Sequence, residues 1–87
     1  MSIEKTTLFE VVNTEVLETK KILGEVYEIL KERGYNPNNQ LVGYLISGDP
    51  GYISNYKDAR RKIQSIDRTK ILEVLLENFQ GSKKWNI

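Results

Sequence analysis

A chain of 87 residues has room for one small domain, and the core of so short a chain is thin enough that self-association is a common remedy. Without Cys or His it can form no disulfide or thiolate metal site, and it lacks the commonest general base, which argues against zinc enzymes and Ser-His-Asp hydrolases. The net charge of +1 divides into −2 over residues 1–33, +2 over 34–66 and +1 over 67–87, well short of the basic footprint of a nucleic-acid binder.

Residues 1–14 have no clear period and read as a flexible N-terminal arm. The opening "MSIEKTTLFE" lacks the apolar core of a signal peptide. No run anywhere approaches the roughly 18 apolar residues of a membrane span. The expected compartment is therefore the cytoplasm, with no membrane insertion. Helical patterning begins near Glu15: Leu23, Val26, Tyr27 and Leu30 fall at i, i+3, i+4 and i+7, with Ile22 and Ile29 widening the stripe. Gly34, just after Arg33, fits a left-handed helix stop.

"YNPNN" turns the chain. Asn36 or Asn38 can cap the next helix, with Pro37 at its first position. That helix spans about residues 39–47. Leu41, Val42, Tyr44, Leu45 and Ile46 make it apolar nearly all round, the mark of a buried helix. Gly43 inside it costs about 1 kcal/mol relative to Ala, which close approach of another helix would offset. Gly43, Tyr44 and Leu45 are accordingly the candidate residues of a dimer contact. Asn39 and Gln40 read as capping or interface hydrogen bonders.

"SGDPGY" is a turn, and its Asp49 is better read as capping its own backbone than as a metal ligand or catalytic acid. The pairs Gly34-Tyr35, Gly43-Tyr44 and Gly51-Tyr52 thus do three jobs: helix stop, packing contact and loop exit. They are not a repeat, because their flanks differ. A third helix follows, with Tyr56, Ala59, Ile63 and Ile66 on one face and Ser54 or Asn55 as its cap. Its Arg60, Arg61 and Lys62 are either a partner- or phosphate-binding patch or a solvated face. Arg60 is the best single candidate, because a planar guanidinium fork suits carboxylate and phosphate. Asp67 opens the last helix, whose Ile71, Leu72, Leu75, Leu76 and Phe79 form a wide stripe beside Val74. Gly81 ends it. Residues 82–87 are a tail with Trp85 docked or loose. The fold expected is all-α: four or five short helices over 15–81, with the arm before them.

The stretch "GYNPNNQLVGYLISGDPGYI", followed by "DAR", resembles the IreB family of small regulatory phosphoproteins of Gram-positive bacteria. The resemblance covers about residues 27–60 closely and the flanking helices more loosely. It implies a helical homodimer with a disordered N-terminal arm and no enzymatic activity, and no cofactor or metal is expected. It implies phosphorylation of the arm by a membrane-anchored Ser/Thr kinase that senses the cell wall, reversed by a cognate phosphatase. The implied output is control of peptidoglycan synthesis and of resistance to wall-active antibiotics. In part of the family this runs through Clp-protease turnover of the UDP-N-acetylglucosamine enolpyruvyl transferase. The family's phosphothreonine precedes a hydrophobic-aromatic pair. "TTLF" supplies that pattern, which makes Thr7 the counterpart and Thr6 a second candidate. The chain departs from the family's usual residues at Asn38, Ser54, Asn55, Gln64 and "DRTK". The competing reading is a small helix-turn-helix-like DNA-binding protein, since short helices joined by "SGDPGY" precede a basic helix.

Overall fold

The computed structural model describes the backbone of residues 2–82 and the side chains of residues 14–81. It is all-α. Helix α1 runs Ser2–Glu32, α2 Pro37–Ser47, α3 Ala59–Gln64 and α4 Arg68–Ser82. Two single 3-10 turns, Pro50–Tyr52 and Tyr56–Asp58, lie between α2 and α3. The arm expected over residues 1–14, Thr14 apart, falls outside the described side chains.

The corner between α1 and α2 follows the chemistry of its residues. Gly34 takes φ +92°, its N–H donates to the Lys31 carbonyl at 3.0 Å, and the Tyr35 N–H donates to the Leu30 carbonyl at 3.0 Å. Those two bonds are the Schellman pattern, which closes carbonyls the helix leaves open. Asn36, not Asn38, then caps α2 by accepting from the Asn39 N–H at 3.2 Å, with Pro37 in the first turn. The helix starts about two residues earlier than its apolar pattern suggests. Gly48, at φ +77°, ends it through an N–H bond to the Tyr44 carbonyl.

Asp49 caps its own turn, accepting from the Gly51 N–H at 2.8 Å. The expected helix from Tyr56, by contrast, is broken. Lys57 and Asp58 adopt φ of 50° and 64°, and regular helix begins only at Ala59. Neither Asn55 nor Asp58 supplies a side-chain cap. The physical reason lies in contacts to the end of α1. The Lys57 ammonium pairs with the Glu32 carboxylate at 3.0 Å, and the Arg33 guanidinium lies 5.4 Å from the centroid of the Tyr56 ring. These contacts hold the chain in a corner that a continuous helix cannot make.

The core joins Val26 and Leu30 of α1, Leu41 and Tyr44 of α2, Ile53 of the connecting loop, Ala59 and Ile63 of α3, and Ile71 of α4. The α4 stripe divides. Ile71 and Val74 are buried, while Leu72, Leu75, Leu76 and Phe79 are exposed. Asp67 opens α4 as expected, accepting from the Thr69 N–H at 2.9 Å. The helix continues through Gly81 to Ser82, within the usual spread of helix ends.

Candidate interaction surfaces

Thr6 and Thr7 lie in the N-terminal part of α1, outside the described side chains. Where description begins, Glu15 faces the Lys70 ammonium at 3.7 Å, and Lys70 also meets Glu73 at 3.4 Å. The Glu73 hydrogen bond and charge, then the Glu15 charge, raise the Lys70 pKa above its usual value.

The three basic residues of α3 each have a different local partner. The Arg60 Nε donates to the Ile53 carbonyl at 2.9 Å, which ties the half-buried side chain to the loop. Arg61 turns back on Asp58 at 3.0 Å, while its side chain stays 81% exposed. Lys62 approaches Glu25 of α1 at 3.6 Å. Arg60, the strongest candidate by sequence, is therefore engaged within its own chain, and Arg61 is the most presented of the three.

The proposed packing trio is likewise separated. Tyr44 is 6% exposed and sits in the core of its own chain. Gly43 does permit a close approach, but the approaching group is the Tyr52 ring, which a Cβ on Gly43 would strike. The neighbour is a turn of the same chain rather than another helix. Leu45 is half-buried, and its carbonyl accepts from Arg68 Nη1 at 2.8 Å.

What the fold leaves uncovered is a different set. Ile46 is 79% exposed and Val42 lies one turn before it on α2. On α4, Leu72, Leu75, Leu76 and Phe79 form a second apolar stripe beside the buried Ile71–Val74 line. An apolar cavity of about 200 Å³ connects the two helices, walled by Leu23 and Tyr27 of α1, Leu41, Val42 and Leu45 of α2, and Leu75 of α4. Asn38 supplies its polar edge. Burying exposed apolar surface is worth roughly 25 cal/mol per Å². Exposed apolar residues clustered on a helix are candidates for an interaction site.

Sequence reasoning missed two structural residues. Ile53 is a lone apolar residue in a turn-rich segment, where no period can flag it, yet it is fully buried. Arg68 gives no signal by itself either. Its role depends on α4 starting beside the end of α2.

Among the described residues no group of three or more His, Cys, Asp or Glu is placed to hold a metal ion, and no helix is long and apolar enough to cross a membrane. The fold and its surfaces define a small helical protein with a closed core and exposed apolar residues on α2 and α4. The chain belongs to the IreB family, described as IreB regulatory phosphoprotein, which it matches over residues 4–80. A relative from Ruminiclostridium cellulolyticum, named UPF0297 protein, is 49% identical over 79 residues, spanning 91% of this chain and 90% of that protein.

Proposed function

We propose that this protein is a non-enzymatic cytoplasmic regulator, switched by phosphorylation of Thr7, with Thr6 as the alternative acceptor. The kinase is a membrane-anchored Ser/Thr kinase that senses the cell wall, and a cognate phosphatase resets the switch. The output is control of peptidoglycan synthesis and antibiotic tolerance through protein partners, with Clp-dependent turnover of the enolpyruvyl transferase as one route. The observation that carries this reading is the match to a regulatory phosphoprotein family over residues 4–80, a span that includes both threonines. Physical support comes from charge. A phosphate adds roughly −1.5 to −2 at neutral pH, enough to reverse the sign of a chain whose net charge is +1.

The active species in this reading is a homodimer, and the exposed stripe of α4 with Ile46 supports that assembly better than Tyr44 does. Arg61 and Lys62 remain the residues of the basic run available to a partner. Arg60 serves them by fixing the loop beneath α3.

The test is phosphorylation by the cognate kinase of the wild type, Thr7→Ala and Thr6→Ala, read by intact mass. It is followed by pulldown with phosphorylated and unphosphorylated chains. Loss of the added mass in Thr7→Ala, with partners that differ between the two forms, is the expected result. Equal labelling of Thr7→Ala, or equal capture by both forms, would sink the switch.

A further inference from the structure

Two adjacent residues between α2 and α3 are held in a conformation that neither prefers. Lys57 (φ 50°, ψ 37°) and Asp58 (φ 64°, ψ 21°) are both left-handed, and among the described residues they alone have positive φ without being glycine. The local sequence favours another state. Tyr56, Ala59, Ile63 and Ile66 recur at helical spacing. In a helix that began at Tyr56, Asp58 would stand in the first turn, where a carboxylate is favoured, and one turn before Lys62. Natural chains retain such conflicts between local preference and fold mainly where they serve a function.

What holds the strained state is slight. The Lys57 ammonium meets the Glu32 carboxylate at 3.0 Å with both side chains about half exposed, and the Arg33 guanidinium lies 5.4 Å from the Tyr56 ring centroid. Neither the turn at Tyr56 nor α3 begins with a side-chain cap. One exposed ion pair contributes less than two left-handed residues cost. Both contacts come from the end of α1 and the residue after it. We propose that Tyr56–Asp58 is a two-state element, which passes from the strained turn into an added first turn of α3 when the end of α1 lets go of Lys57.

The second state has a defined surface. A helix from Tyr56 puts Lys57, Arg60 and Arg61 at i, i+3 and i+4, on one face. In the strained state each is engaged elsewhere: Lys57 with Glu32, Arg60 with the Ile53 carbonyl and Arg61 with Asp58. The corner therefore decides whether α3 presents a three-cation face to an anionic partner. Ile53 and Ala59, both fully buried, bound the segment on either side, so the change is confined to residues 54–58. None of this requires phosphorylation of Thr7.

NMR on the full chain reads the two states directly. Positive φ gives a strong intraresidue Hα–HN cross-peak, and right-handed helix gives Hα–Hβ contacts from each residue to the third one on. At low salt, Lys57 and Asp58 of the wild type should show the first pattern. In Glu32→Gln both intraresidue cross-peaks should fall by half or more, while contacts from Lys57 to Arg60 and from Asp58 to Arg61 appear. High salt should move the wild type the same way. Asp58→Gly in the Glu32→Gln background should restore the left-handed signal at Lys57, because Gly accepts that geometry and disfavours helix. Methyl resonances of Leu30 and Ile63 should stay in place throughout, which separates a local switch from loss of the fold. Left-handed cross-peaks that persist unchanged in Glu32→Gln, or in the wild type at high salt, overturn the proposal. So does their loss without helical contacts in their place, since the corner then only frays.

Discussion

Arg68 Nη1 donates to the Leu45 carbonyl at 2.8 Å, so the first residue of α4 closes the last turn of α2. A cation is unfavourable at the start of its own helix and favourable at the end of another. Here the second effect is realised in a hydrogen bond to a carbonyl that α2 cannot satisfy. Arg68→Ala should therefore destabilise the chain by about 1 kcal/mol, as expected for an exposed charge-assisted bond. Arg68→Lys should recover only part of that. Urea midpoints measured at low and high salt decide it.

Gly43 is held to glycine by the Tyr52 ring. Gly43→Ala gains about 1 kcal/mol of helix propensity but forces the ring aside, an overpacking cost of about 1–3 kcal/mol. The single variant should be neutral to destabilised. In a Tyr52→Ala background the same change should stabilise by up to about 1 kcal/mol. The sign reversal in this double-mutant cycle is the readout. Equal effects in both backgrounds would show that the ring is not the constraint.

Ile53→Ala should be costly, about 2–4 kcal/mol, because the side chain is fully buried and the loop around it is tied down by Arg60 and Gln40. Leu76→Asp and Ile46→Asp should change the stability of an isolated chain by less than about 0.5 kcal/mol, as surface substitutions do. If the proposed homodimer uses this face, their effect should appear in sedimentation as its loss. A dimer that survives both would move the interface elsewhere.

Much of this fold can be read directly from residue types, and the limit has a physical form. Several helix ends were legible because a residue carries its own signal: Gly34 as a stop, Asp67 as a cap, Asp49 in its turn, and Asn36 as one of two cap candidates. The break before α3 was not. Lys57 and Asp58 have no intrinsic preference strong enough to announce left-handed geometry, and the contacts that impose it come from Glu32 and Arg33, more than twenty residues away. The surfaces show the same division. Periodicity found the apolar residues of α4, but it cannot say that Ile71 and Val74 turn inward while Leu72, Leu76 and Phe79 do not. A charge run likewise gives no hint that its first member, Arg60, will bind a backbone carbonyl.

The Glu32 hydrogen bond and charge raise the Lys57 pKa above its usual value. A base with a raised folded-state pKa stabilises the fold fully below its unfolded value, about 10.4 for lysine. It loses that contribution as pH rises through the higher folded value. Stability should thus be level in this respect at neutral pH and decline in the alkaline range. Lys57→Met should flatten part of that decline. Because the pair is exposed, the change should be small, and 0.5 M salt should shrink it further. An alkaline slope identical in the wild type and Lys57→Met would exclude the pair as its source.

The corner between α1 and α2 has a mechanical consequence. Two Schellman bonds, an asparagine cap and a proline with fixed φ leave residues 33–37 almost no soft torsion. Such a joint cannot act as a hinge. Leu23 and Tyr27 on one side of the joint and Leu41, Val42 and Leu45 on the other therefore keep their spacing. Two of the three helices that wall the apolar cavity form one angled bracket. Its width can change only where α4 brings Leu75 against that bracket.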